Sequence, residues 1–249
     1  MRYYWLTGGG LRDELVKRKT TIFLHVPKTG GTTFHGILRQ VYGSGVKYCS
    51  TTDLEDIQRN AEQYECLVLH WYKDAFMHKN LMVPQAAEFL KEHDVFCMFR
   101  APVPHSVSLF CDLQRRKDQI LPIYERLGRA LPATMKQYLD TEPGNQQLAC
   151  FLGRIQTGEQ LVTKTELKLA QSLIHACGIH VGVLERFDAF LEKFEHITGH
   201  FARRDDVHIL NRGNLGYVGI LEEDMLKRIS AHSPLDQLLY ESALGTCCH

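Results

Sequence analysis

The sequence predicts an α/β fold: a parallel β-sheet of four or five strands flanked by helices, in a single domain over residues 1–249. Three observations predict it. Short runs of β-branched and apolar residues recur along the chain, each bounded by turn formers or polar residues. Segments with helical spacing lie between them, so successive strands need crossover connections and run parallel. The first apolar run, Ile22-Phe-Leu-His-Val26, leads into a glycine turn, Pro27-Lys28-Thr29-Gly30-Gly31, and then into a helix start.

Residues 1–20 read as a leader segment, with a short helix near 13–18. The first strand is expected at 21–26 and the first helix at 32–42, followed by a short strand at 46–49. A helix at 53–63 has Thr51 or Thr52 available as its cap. The apolar run 66–69 is a second core strand ending at His70. Pro84, favoured in a first turn, opens a helix through residue 93. A third core strand, 94–99, ends at Arg100. Residues 103–153 read as consecutive helices punctuated by Pro122, Pro132 and Pro143-Gly144. Thr165 is expected to cap a helix ending at Gly178, before a fourth core strand at 180–184. An amphipathic helix at 188–198 and two C-terminal helices, the last beginning at Ser233-Pro234, complete the chain.

Lysine plus arginine balance aspartate plus glutamate at 29 each, which makes no case for a nucleic-acid partner. Arg115-Arg116-Lys117 and Arg203-Arg204 could line a local basic cleft, but a solvated helix face is the preferred reading of each. No run of about 18 apolar residues exists to span a membrane. The N-terminus is too broken for a signal peptide, so a cytoplasmic protein or an excised soluble catalytic domain is expected. Eight cysteines are scattered without a C-x-x-C pair, and Cys66, Cys97 and Cys177 sit in or beside apolar segments. The expectation is reduced thiols and no metal; Cys247-Cys248-His249 and the His196/His200 pair read as surface features.

The first turn carries the chemistry. Glycines let backbone N–H groups face an anion, and a helix N-terminus adds unpaired donors and the positive dipole end. Lys28 adds a mobile charge, and Thr29, Thr32 and Thr33 add hydroxyls beside Gly30 and Gly31. The order excludes a Walker A loop, whose lysine follows the last glycine, and no G-x-G-x-x-G follows the strand. Arg100, at a strand end, can grip a phosphate in a bidentate fork, and Ser108 follows one to two helical turns later. His70, at the carboxyl end of the second core strand, is the candidate general base. His25 is its rival, and Glu185 and Asp74 are weaker alternatives.

The loop 27–34 resembles the 5′-phosphosulfate loop of sulfotransferases that use 3′-phosphoadenosine-5′-phosphosulfate (PAPS), especially the heparan sulfate 2-O- and 6-O-sulfotransferases. Arg100-Ala-Pro-Val-Pro-His-Ser-Val-Ser108 resembles their 3′-phosphate motif, R-x-P-x-x-R-x-x-S. Arg100, Pro102 and Ser108 match in register, but His105 stands where a second arginine is common. That departure is expected to weaken 3′-phosphate binding or to make it pH-sensitive. Residues 145–153, 181–188 and 235–241 look like further family segments in the same order, and 208–213 resembles a late loop in which Arg212 touches the 3′-phosphate.

The resemblance implies a P-loop-like sulfotransferase fold, PAPS as donor, and transfer of its sulfuryl group to an acceptor hydroxyl. His70 would act as base and Lys28 would stabilise the leaving phosphate, with no metal. By the same resemblance the acceptor is a saccharide first, a lipid or small-molecule alcohol second. Two other classes stay open. A nucleotide-dependent kinase needs an acidic Mg²⁺ holder after a core strand, where this chain has His70 and Arg100. A non-catalytic glycan- or partner-binding module would keep the fold without the reaction.

Overall fold

Five strands run parallel in one sheet, in the order β2-β3-β1-β4-β5. They are β1 (Thr21–His25), β2 (Val46–Cys49), β3 (Cys66–His70), β4 (Asp94–Phe99) and β5 (His180–Val183). The computed structural model describes residues 19–49, 54–70, 84–153, 161–203, 218–219 and 221–246. Among them are eleven α-helices: α1 (Gly31–Tyr42), α2 (Leu54–Gln63), α3 (Pro84–Lys91), α4 (Pro102–Arg115), α5 (Lys117–Arg126), α6 (Met135–Thr141), α7 (Gln146–Leu152), α8 (Lys164–Ala176), α9 (Phe187–Thr198), α10 (Glu223–His232) and α11 (Pro234–Thr246). No described helix is long and apolar enough to cross a membrane.

The strands are apolar on both sides because both sheet faces are covered. Ile22, Leu24, Leu67, Leu69, Val95, Cys97 and Phe99 point to one face, where α2, α3, α7, α8 and α11 bring Ile57, Leu90, Leu148, Leu167 and Leu239. Phe23, Cys66, Val68, Phe96 and Met98 point to the other, against α1 and α9. On that side Phe34 of α1 meets Phe23, Phe190 and Phe194 edge-on, at ring-centroid distances of 4.8, 5.0 and 5.3 Å. A third cluster, of Val107, Phe110, Met135, Tyr138 and Ile229, joins α4, α6 and α10 beyond the sheet.

The strand order determines where a ligand can lie. From β1 the chain moves outward to β2, returns to β3 beside β1, then crosses to β4 on the other side of β1 and on to β5. The connections leaving β1 and β4 therefore run in opposite directions. The crevice between their carboxyl ends is the topological switch point of the sheet, where open α/β sheets bind ligands.

Several boundaries differ from the sequence reading. Thr20 belongs to the fold rather than to a leader: it is buried and donates its hydroxyl to the Ala61 carbonyl at 2.8 Å. Residues 1–18 and the Thr51/Thr52 cap lie outside the described residues. His70 is the last residue of β3 instead of the first beyond it. Thr163, not Thr165, caps α8, because Glu166 three residues on completes a reciprocal capping box with it. Pro122 lies inside α5 instead of ending a helix. It removes one N–H from the middle of the helix, and α5 keeps Ile120 and Tyr124 buried around it.

Because Phe34 fastens α1 to the sheet, Phe34→Ala is expected to cost about 3–5 kcal/mol. Urea unfolding followed by circular dichroism measures this, and a loss below about 1 kcal/mol would remove Phe34 from the core's principal contacts.

Candidate functional site

The turn after β1 is shaped by what presses on it. Lys28 takes a left-handed backbone conformation, φ 65°, unusual for a side-chain-bearing residue. Gly30 follows with φ 96°, and a Cβ there would stand 2.6 Å from Leu184 Cδ1. Gly31 is required for a different reason. A Cβ on it would lie 2.0 Å from His25 Nε2, so the His25 ring fills the space beneath the first turn of α1. The rival base is thus half-buried packing, stacked on Phe23 and edge-on to His35.

Three consecutive carbonyls of this turn each accept a side-chain hydrogen bond. Thr29 Oγ1 donates to Val26 O at 2.7 Å, His105 Nε2 to Pro27 O at 3.0 Å, and Arg100 Nη1 to Lys28 O at 3.3 Å. A trans peptide directs its N–H opposite to its C=O, so the N–H groups of Lys28 and Thr29 face away from these partners. The N–H groups of Gly31, Thr32 and Thr33 come before the first intrahelical acceptors of α1; Phe34 N–H is the first to find one, at Gly30 O. A concave set of donors at a helix N-terminus is the local chemistry of an anion site. Thr32 is exposed and Thr33 buried, while the Thr29 hydroxyl is engaged inside the turn.

The Lys28 ammonium is engaged too. It lies 3.1 Å from Asp112 Oδ1 on α4, with 17% and 16% of the two side chains exposed, so solvent screens the pair only partly. Arg115 also pairs with Asp112 Oδ1, and Arg116 reaches Oδ2 at 3.3 Å. Burial works to raise the Asp112 carboxyl, but the hydrogen bond from Arg115 and the Lys28 charge outweigh it and hold the group below the usual carboxylate range. Three cations share one carboxylate, which leaves a local positive excess in a chain of zero formal charge.

Arg100 stands across the crevice, at the end of β4. Its backbone N–H donates to Gln147 Oε1 and its carbonyl accepts from Gln147 Nε2, both at 2.8 Å. Burial presses its guanidinium below its ordinary pKa, and the Glu185 charge opposes this. Glu185 accepts from Ala101 N–H at 3.1 Å and so caps the start of α4. Ser108 is fully buried on α4.

His105 departs from expectation. It is buried, and burial together with the Arg100 and Lys28 charges pulls its imidazole down to about 3, against the lift from Pro27 O. A ring so placed stays neutral near pH 7 and ties α4 to the loop. His70 closes β3 directly beside His25 in register, at the carboxyl edge of the sheet. Its side chain, Asp74 and Arg212 lie outside the described residues.

The crevice therefore unites Lys28, the loop donors and Arg100, which sequence reasoning named. It adds Asp112, Gln147 and the positioning role of Glu185, which that reasoning missed. The i+3 and i+4 spacing of Arg115 and Arg116 from Asp112 was a readable signal for a paired carboxylate, though not for its contact with Lys28. Among the described residues no group of three or more His, Cys, Asp or Glu is arranged to hold a metal ion.

Two consequences are measurable. Unfolded chains take up the proton that buried His105 refuses, so stability is full above about 6.5 and falls as pH drops towards about 3. His105→Gln keeps an N–H donor for Pro27 O and should flatten that acid limb in urea unfolding; an unaltered slope contradicts the assignment. Asp112→Asn should strengthen pyrophosphate binding several-fold in low-salt calorimetry, with the gain shrinking as salt screens the cluster. Weaker binding in that variant would mean that Asp112 presents Lys28 to the anion.

The sequence matches no known family model and no curated protein.

Proposed function

We propose that this chain transfers a sulfuryl group from PAPS to an acceptor hydroxyl. The observation that carries the reading is the meeting of Arg100 with the Lys28 carbonyl across the crevice between β1 and β4. The turn after β1 and the Arg100 guanidinium meet there, and in this reading each takes one of the two separate anionic groups of PAPS. The likeness of residues 27–34 and 100–108 to the phosphosulfate and 3′-phosphate motifs of sulfotransferases supports the same donor.

In this reading the N–H groups of residues 29–33 and Lys28, released from Asp112, bind the 5′-phosphosulfate. They stabilise charge as it develops on the leaving phosphate. Arg100 binds the 3′-phosphate, with Ser108 and Arg212 assigned to the same group from the motif alone. The acceptor oxygen attacks sulfur in line, the bond from sulfur to the 5′-phosphate oxygen breaks, and His70 takes the hydroxyl proton. The register of β3 supports that role for His70, because its backbone ends at the same sheet edge as the loop. Lys28 and Arg100 supply the counter-charge, so no step calls on a metal. A saccharide is the first choice of acceptor and a lipid or small-molecule alcohol the second. The free thiols of the six described cysteines fit a reducing compartment such as the cytoplasm.

Calorimetry with 3′-phosphoadenosine-5′-phosphate and with ATP·Mg²⁺ tests the donor, and tighter ATP binding would sink the reading. Radiolabelled PAPS offered to a panel of glycans, lipids and alcohols tests the reaction. His70→Ala is expected to lower turnover about 10²–10⁴-fold while donor affinity stays within about twofold. A large loss of donor affinity would make His70 a nucleotide ligand.

A further inference from the structure

Arg100 is the first residue beyond β4, where the backbone leaves the ladder that satisfied it. Its N–H and C=O are nevertheless both bonded, by one side chain 47 residues further along. The Gln147 carboxamide offers an acceptor and a donor side by side, as the peptide of a neighbouring strand does. Both residues are buried, Gln147 with 1% and Arg100 with 3% exposure. The pair fixes the peptides on either side of the Arg100 Cα, and with them the direction in which its side chain leaves the backbone.

Gln147 is itself held firmly. It sits at the start of α7, where the N–H groups of Gln147 and Leu148 donate to Asp236 Oδ2 and Oδ1 at 3.0 and 2.8 Å. Asp236 belongs to the first turn of α11. There the N–H groups of Leu235 and Asp236 donate to Asn145 Oδ1 at 2.7 and 3.2 Å. Asn145, in a left-handed conformation with φ 55°, donates its own N–H to Ser233 Oγ at 3.1 Å. The N-termini of α7 and α11 thus cap one another, and Gln147 extends from that junction to Arg100. A methionine at position 147 would fill a similar volume but leave the Arg100 N–H and C=O without these partners.

We infer that Gln147, held by the reciprocal cap of α7 and α11, is a positioning residue for Arg100 and sets discrimination between nucleotides with and without a 3′-phosphate. The inference rests on the donor reading given above. Gln147 touches no donor atom in this scheme; it acts through the backbone of Arg100.

The test compares the affinities of 3′-phosphoadenosine-5′-phosphate and adenosine 5′-phosphate for the wild type, Gln147→Met and Gln147→Glu. The glutamate variant keeps the acceptor for Arg100 N–H and loses the donor to its carbonyl. Both variants are expected to lose about tenfold of the preference for the 3′-phosphorylated nucleotide, as befits a misdirected charged hydrogen bond. Adenosine 5′-phosphate should bind them as it binds the wild type. Its retained affinity also shows that the loop after β1 is folded. Should Gln147→Met not fold, Asp236→Asn, which loosens the cap but keeps the glutamine, carries the test with a smaller loss of the same preference. Equal weakening of both nucleotides, or an unchanged preference, overturns the inference and leaves the donor reading intact. A wild type that binds the two nucleotides equally overturns the donor reading itself.

Discussion

The capture of three successive carbonyls, those of Val26, Pro27 and Lys28, is the constraint on which the site depends. Each partner comes from a different place: the turn itself, the second turn of α4 and the end of β4. Together they decide which way the peptide planes of the turn face, and so turn the N–H groups of Lys28 and Thr29 away from these partners, while the Val26–Pro27 peptide carries no N–H. Gly30 and the bare Cα of Gly31 answer to packing, since the chain passes Leu184 at the first and the His25 ring at the second, and Lys28 just before them is left-handed. Strain of that kind persists only where surrounding contacts over-determine it, which is common at binding sites.

Electrostatics complete what the backbone begins. An ammonium near a concave set of N–H groups would normally invite any small anion, yet Lys28 is paired with Asp112. Arg115 and Arg116 flank the same carboxylate, so Asp112 would keep partners if Lys28 turned to an anion as proposed. Such an exchange would replace one ion pair by another, which limits the desolvation that anion binding would have to overcome. It also gives Arg115-Arg116 a role in the cluster that a purely solvated helix face would lack.

The sheet was legible because parallel strands are apolar on both sides: Ile22-Phe-Leu and Val95-Phe-Cys-Met-Phe99 admit few other readings. Lys28 and Arg100 were legible as a pair because both leave core strands at the carboxyl edge. What escaped depends on contacts between residues far apart in the chain. His105 looked like a weakened arginine position until its burial against Pro27 was seen. Gln147 lay in a segment read as helix and as a family likeness without a role for the glutamine, since nothing local marks a side chain that serves a strand end 47 residues earlier. The choice between Thr163 and Thr165 as cap was local and was decidable by Glu166, three residues after the first of them.

The two halves of the crevice offer an anion different groups, and the prolines explain why. At α1 the first turn carries Gly31, Thr32 and Thr33, all with N–H groups, so the helix end itself can hold an anion. At α4 the first turn begins Pro102-Val-Pro104, and Ala101 N–H is already taken by Glu185. Only Val103 is left with an uncommitted position in that turn, so α4 offers little backbone to a second anion. On the proposed reading, recognition on that side would fall to the Arg100 guanidinium, whose bidentate geometry tolerates little misdirection. A site that relies on one side chain needs its backbone held, and the buried carboxamide of Gln147 does that without adding a charge that would compete for the guanidinium.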